Sequence, residues 1–168
     1  TMDGTAPNRR NEDAHGSIGT WLWPLIATLA IQTTTAMLSR LVPTIGPVLT
    51  VEFGMAPTAI GHLSAVGTIG SIIFLVAGAP LLRRAGPIRA LQVGLGFGAI
   101  GVALLAIPIF AIPAIASLLI GLGYGPSPSA GSEVLQRYAP KRHRSLVFSI
   151  KQAGVPLGGV MAGLILPA

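Results

Sequence analysis

The sequence predicts an all-α membrane protein with five transmembrane helices. Hydrophobic residues make up 51% of its 168 residues and charged residues only 10%, which leaves too few polar side chains to cover a water-soluble domain of this length. Long stretches carry no charge, and the basic residues gather in short segments between them. Because the chain has no cysteine, disulfides and thiolate metal sites are excluded.

The predicted helices follow from uncharged stretches that are long enough to cross a bilayer. Residues 18–39 contain no charged side chain and are long enough for a hydrocarbon core of about 30 Å. Residues 90–132 are also uncharged but about twice that length, so we expect a hairpin that turns between Pro108 and Pro113. After a disordered tail at residues 1–17, the transmembrane domain (18–168) is predicted to contain helices at residues 18–40, 57–80, 90–108, 113–135 and 145–167.

Two of the connections are predicted to be irregular. The prolines and glycines between Pro43 and Gly54 favour a loop or an unwound helix end before Pro57 begins the second helix. The basic segment Arg83–Arg89 ends that second helix and is predicted to be a loop.

The basic residues also predict the orientation of the chain. Arg83, Arg84 and Arg89 follow the second helix, and a second basic loop, Gln136–Arg144, follows the fourth. Lys and Arg in short loops favour the cytoplasmic side, so both loops and the N-terminus are predicted to be cytoplasmic, in a bacterial inner (plasma) membrane. The net charge of +6 does not indicate nucleic-acid binding, because no basic face carries stacking aromatic residues.

Two stretches resemble the major facilitator superfamily. Residues 79–91, APLLRRAGPIRAL, align without a gap with G-x-L-a-D-R-x-G-R-k-x-x-L, the pattern of that family's loop between helices two and three. Arg84 and Gly86 are among the matching positions, whereas Arg83 stands where the family has aspartate.

The second stretch, Leu118–Pro167, is similar to helices four and five of cyanate permease-like or nitrate/nitrite-type members. Within it, Gly154, Pro156, Gly158 and Gly159 resemble the glycine-proline motif of helix five in many antiporters. Their spacing, G-x-P-x-G-G, differs from G-P-x-x-G-G, so antiport is not inferred.

The resemblance implies part of a secondary-active transporter that moves a small solute by alternating access between two six-helix halves. An organic or inorganic anion is the expected solute, with a proton as the candidate coupled ion. The resemblance covers residues 20–168 and the first five of twelve helices, so the predicted fold is a truncated N-terminal six-helix bundle that needs a C-terminal half or another copy. The alternative is a truncated, non-transporting membrane remnant or helical assembly module.

Polar residues inside the predicted helices are candidate solute-binding groups, because polar groups in lipid are costly. Gln32 and Arg40 lie in helix one, and Tyr124 lies near the centre of helix four. Helix packing is the alternative for Gln32, and contact with lipid headgroups is the alternative for Arg40. A polar face that unites Gln32, Tyr124 and Lys151 is expected of a transporter and not of a remnant.

Lys151, in helix five, is a further solute-binding candidate, and Gln152 beside it shares this interpretation. Three roles are open for the Lys151 ammonium: it binds an anionic substrate, it snorkels to the membrane interface, or it pairs with Glu133. The sequence does not decide between them. His62 and Glu133 are candidate proton relays, with a packing role as the alternative for His62.

No catalytic or metal-binding constellation is predicted, so we expect neither an enzyme nor a cofactor. The histidines, His15, His62 and His143, fall in the tail, a helix and a basic loop. Residues 96–101 fit G-x-G-x-x-G, but they lie inside an apolar run and not between a strand and a helix, so close helix packing is predicted for these glycines.

Overall fold

Residues 18–166 are described by a computed structural model, and within them the chain forms nine α-helices, one 3-10 turn at Lys141–His143 and no strand. The tail predicted at residues 1–17 lies outside the described residues. The helices are α1 (Ile18–Thr44), α2 (Gly46–Glu52), α3 (Ala59–Ala77), α4 (Ala79–Ala85), α5 (Pro87–Leu104), α6 (Ile112–Tyr124), α7 (Pro126–Tyr138), α8 (Arg144–Gln152) and α9 (Gly154–Ile165).

Four segments of the described chain are long and apolar enough to cross a membrane. Three of them lie in α1, α3 and α5, and the fourth runs through α8 and α9. Large apolar side chains such as Val76 and Leu164, each 74% exposed, cover the outside of the bundle, where they suit lipid and not water. The predicted all-α membrane class is therefore confirmed.

The fourth predicted helix, at residues 113–135, is two helices. α6 and α7 have 13 residues each, and neither alone is long enough to span the bilayer. They meet at Gly125, next to Pro126, which has no amide hydrogen to donate to the carbonyl of Leu122. Gly125 keeps right-handed helical angles (φ −48°, ψ −48°), so α7 follows α6 without an intervening loop.

The fifth predicted helix, at residues 145–167, is also divided. α8 ends and α9 begins on either side of Ala153. Pro156 lies in the first turn of α9 and cannot donate to the carbonyl of Gln152 four residues earlier. Both interruptions follow from prolines that the sequence displays, but their effect on helix continuity was not predicted.

The loop predicted between Pro43 and Gly54 is mostly helical, so that prediction is wrong. α1 continues to Thr44, and α2 follows almost at once. Pro47 lies in the first turn of α2, where the missing amide costs no hydrogen bond. Gly54, with a φ of 60°, lies between α2 and α3, which begins at Ala59 and not at Pro57.

The basic segment that follows α3 is likewise a helix for most of its length. Arg83 and Arg84 lie in the last turn of α4, where cations stabilise the negative end of the helix dipole. Gly86 then adopts a φ of 84°, a conformation that favours glycine, and Pro87 is the first residue of α5. The expected loop is therefore a sharp turn at Gly86.

Glycines set the distances between the spanning helices. An added Cβ on Gly121 of α6 would collide with the carbonyl of Gly67 in α3. At the same crossing, the Ser71 hydroxyl donates a hydrogen bond of 2.9 Å to the Gly121 carbonyl. Small residues that allow such close approach stabilise helix pairs in lipid.

The same principle applies to α9 on α1 and to α5 on α6. A Cβ on Gly158 would lie 2.5 Å from the Thr33 carbonyl oxygen, and one on Gly101 would lie 2.8 Å from Cγ1 of Ile120. Gly98 of the G-x-G-x-x-G stretch is buried inside α5, consistent with packing and not with nucleotide binding.

We predict that Gly121→Ala destabilises the bundle by about 1–3 kcal/mol, because the new methyl group forces α3 and α6 apart. Gly96→Ala is the matched control, since no atom lies within 4 Å of its Cβ position and both variants gain the same helix propensity. Thermal unfolding in detergent compares the two. Equal midpoints would contradict backbone contact at this crossing.

Candidate functional site

A cavity of about 300 Å³ lies between α1, α3 and α6, with Val155 of α9 at its edge. It is lined by residues of the second half of α1 and the first half of α3, so it occupies the part of the bundle remote from the basic α4–α5 connection. Its polar lining residues are Ser39, Arg40, Ser64, Thr68, Ser71, Ser117 and Tyr124.

Most hydroxyl groups in this lining already donate to the backbone. The Ser64 and Ser117 hydroxyls donate to carbonyls of their own helices at 2.9 and 2.7 Å, and Ser71 donates to α6. The other serine and threonine hydroxyls of the lining do the same. A hydroxyl whose hydrogen is engaged offers only acceptor lone pairs, so the donors that remain for a solute are Arg40 and Tyr124.

Arg40 supplies a positive charge to the cavity. Its side chain is exposed and makes no ion pair within residues 18–166. The guanidinium lies beside α9, where a Cβ on Gly159 would be 3.9 Å from the Arg40 Cζ. The guanidinium carries five N–H donors in a planar fork that fits carboxylate and other oxyanions.

Tyr124 is the last residue of α6 and lines the same cavity. Its side chain is half-buried, and no hydrogen bond of its hydroxyl is formed within the described part of the chain. The structure thus brings together Arg40 and Tyr124, two residues that the sequence marked separately.

Gln32 is fully buried and lies outside the cavity, one helical turn before the lining residue Ala36. Its Oε1 accepts a hydrogen bond of 3.2 Å from the Ser127 hydroxyl of α7. Its Nε2 has no hydrogen-bond partner within residues 18–166, which is costly for a buried amide.

Lys151 is also buried, with 1% of its surface exposed. Its Nζ donates to the Pro128 carbonyl at 2.8 Å and to the Ser132 hydroxyl at 3.1 Å, both in α7. The side chain points into the bundle and does not snorkel. The predicted alternative of an ion pair between Lys151 and Glu133 is wrong as well, because the Glu133 carboxylate faces outward and binds Arg137 at 2.7 Å.

The other candidate residues lie apart from the cavity. His62 and Gln152 are exposed, and neither lines it. The face expected to unite Gln32, Tyr124 and Lys151 is therefore divided: Tyr124 lines the cavity, whereas the other two side chains are buried in helix contacts.

The two basic segments meet at one end of the bundle. A small cavity there is lined by Gly86 and Ile88 from one segment and by Arg137 and Tyr138 from the other. The arginines of the first segment, Arg83, Arg84 and Arg89, are exposed. Their common end agrees with the two loops being on the same side of the membrane.

The glycine-proline motif of helix five has a packing role on α1. A Cβ on Gly154 would lie 3.0 Å from the Gln32 Cγ, and Gly158 contacts α1 one turn later. Gly159 leaves room for Arg40, whereas Pro156 is exposed. The motif therefore brings α9 close to Gln32 and Arg40 of α1.

Sequence reasoning missed the two serines that hold these side chains, Ser127 and Ser132. Both lie in PSPSAGS, residues 126–132. This polar run in the middle of an apolar segment was the available signal. Within residues 18–166, no three His, Asp or Glu side chains are close enough to hold a metal ion.

A family model described as Major Facilitator Superfamily matches residues 24–168. The chain belongs to this superfamily. It is thus an integral membrane protein of a transporter family, with the lipid bilayer and a small solute as its partners, and superfamily transporters are generally not enzymes. The match does not support the narrower resemblance to cyanate or nitrate/nitrite members. Searches of curated proteins and of solved structures gave no match.

We predict that Lys151→Met leaves the bundle as stable as the wild type or stabilises it by up to about 4 kcal/mol, because it removes a buried charge and keeps an unbranched side chain. Ser132 still donates to the Pro128 carbonyl at 2.7 Å, so no α7 group loses its bond. Lys151→Ala is expected to cost about 2–5 kcal/mol through the cavity it leaves. Thermal unfolding in detergent measures both; a large loss in Lys151→Met would mean that the ammonium itself stabilises the fold.

Proposed function

We propose that this chain is part of a secondary-active transporter that moves a small organic or inorganic anion by alternating access. One observation carries the proposal: Arg40, a cation without an ion partner in the described chain, lines the same cavity as Tyr124, whose hydroxyl is unengaged there. An anion is the ligand that uses both donors.

The volume of the cavity supports a small solute. About 300 Å³ is at the lower end of the range for ligand pockets. The serine and threonine lone pairs accept hydrogen bonds from water that stays with the anion, or from a hydroxyl group of an organic acid.

The proposed orientation supports entry from outside the cell. Positive residues favour the cytoplasmic side, so the end with Arg84 and Arg137 is proposed to face the cytoplasm, with the N-terminus on the same side of a bacterial inner membrane. The Arg40 cavity then belongs to the outer half of the bundle, where its charge attracts anions. A second half or another copy is proposed to close the pathway.

Residues 118–167 resemble cyanate permease-like and nitrate/nitrite-type members, which makes nitrate and cyanate the first inorganic anions to test. Formate and acetate are the corresponding organic probes, since a carboxylate fits the same guanidinium fork.

We predict that proteoliposomes containing the chain take up at least one of these radiolabelled anions saturably, and that Arg40→Gln lowers the uptake about tenfold or more by removing the charge. Loss of a charge-assisted hydrogen bond in a binding site costs at least this much. Arg40→Lys is expected to keep part of the uptake, because the charge stays but the planar fork is lost.

Arg89→Gln is the matched control, because Arg89 is exposed and lies outside the cavity. Wild-type uptake by Arg40→Gln would reject the Arg40 site. Saturable uptake of neutral or cationic solutes only would reject the anion. A correctly inserted chain that neither takes up nor binds any of these anions would favour the non-transporting assembly module.

A further inference from the structure

Two buried polar side chains in the bundle are incompletely satisfied, and both lie outside the cavity. The Gln32 Nε2 has no partner in the described residues. The Lys151 ammonium has three N–H donors, and two acceptors, both in α7, are present. Both groups can donate further hydrogen bonds to a ligand.

The charge of Lys151 also has no counter-charge among the described residues. The carboxylates within residues 18–166 are Glu52 and Glu133. Glu133 is bound to Arg137, and Glu52 is exposed at the end of α2. A buried ammonium without a counter-charge costs several kcal/mol, so an anion is its chemical complement.

The two side chains lie about one helical turn apart. A Cβ on Gly131 would lie 3.1 Å from the Lys151 Cε and 3.9 Å from the Thr28 Cβ, which places Lys151 at the level of Thr28. Gln32 lies four residues after Thr28 in α1. It contacts Gly154, which lies three residues after Lys151, so both offsets amount to about one helical turn. One helical turn rises about 5.4 Å. An anion placed between the Gln32 and Lys151 side chains can therefore contact both.

The Arg40 cavity lies about one further helical turn along the same helices. Ala36, Tyr124 and Val155 line it, and each lies three or four residues from Gln32, Ser127 or Lys151. Donors are thus arranged in series along the bundle, from Arg40 through Gln32 to Lys151.

Both helix interruptions flank Gln32. Ser127, which binds its Oε1, is the second residue of α7, and Gly154, which contacts its Cγ, is the first residue of α9. Interrupted helices are typical of the binding regions of transporters. A pivot at Gly125 and Ala153 would therefore open space beside Gln32.

We propose that Gln32 and Lys151 form an inner subsite for an anion, deeper in the bundle than the Arg40 cavity and reached from it past Gln32. This inference rests on the proposed anion transport, and it assigns the transported anion a second position. In the conformation described, the side chains are packed together, and the subsite opens when α7 and α9 move at the two interruptions.

We predict that the chain in detergent binds two nitrate ions at saturation, measured by equilibrium dialysis of the radiolabelled anion. Lys151→Met and Gln32→Glu each bind one, because the first lacks the inner charge and the second places a carboxylate in the subsite. Arg40→Gln also binds one, and the double variant Arg40→Gln/Lys151→Met binds none.

The pattern among variants separates the two proposals. Two ions bound by both Lys151→Met and Gln32→Glu would overturn the inner subsite and leave the Arg40 site intact. Two bound by Arg40→Gln but one by Lys151→Met would overturn the Arg40 site alone. A wild type that binds neither nitrate nor formate would overturn both.

A second measurement does not depend on ligand binding. If Lys151 carries an unbalanced charge one turn from Gln32, Gln32→Glu lowers the thermal midpoint less in the wild type than in Lys151→Met, where the new carboxylate is unpaired. Gln136→Glu, at an exposed position, is the control and is expected to behave alike in both backgrounds. Equal losses from Gln32→Glu in the two backgrounds would overturn the assigned proximity.

Discussion

Close contact between helix backbones at glycine is the constraint on which the rest of this bundle depends. Lipid is as apolar as the helices, so burial of hydrophobic surface does little to hold them together, and van der Waals contact and hydrogen bonds must do so. Gly121 brings α6 against the Gly67 carbonyl, and Gly158 brings α9 against α1. The cavity and the buried polar side chains occupy positions defined by these crossings, because α1 takes part in one and α6 in the other.

The class of fold could be predicted from the sequence because a bilayer imposes a length on every uncharged segment. The helix interruptions at Gly125 and Ala153 could not be predicted from the sequence, since the effect of a proline depends on how neighbouring helices satisfy the freed carbonyls. For the site, residue types indicated Arg40, Tyr124, Gln32 and Lys151, but only tertiary contacts distinguish a cavity-lining side chain from one buried between helices. The partner of Lys151 was misjudged because Glu133 lies on the opposite face of α7, where Arg137 is one turn away.

Charge is used sparingly and in two different ways in the spanning helices. Arg40 is exposed to the cavity, where solvent or a solute can balance its charge, whereas Lys151 is buried and donates hydrogen bonds to α7. Polar residues inside membrane segments are expensive and mark solute pathways. In the described conformation a solute can therefore reach Arg40 but not Lys151.

The pairing of α3 with α6 and of α9 with α1 has a consequence for biogenesis. The hydrogen bonds that join α3 to α6 and α1 to α7 connect residues far apart in sequence, 50 positions for Ser71 and Gly121 and 95 for Gln32 and Ser127. The first two spans therefore leave the ribosome long before their main packing partners are made. Ser71 of α3 lacks its Gly121 acceptor until α6 is made, and Gln32 of α1 lacks Ser127 until α7 is made. Synthesis of this bundle thus leaves the Gln32 amide of α1 exposed to lipid or to the insertion machinery until α7 is made.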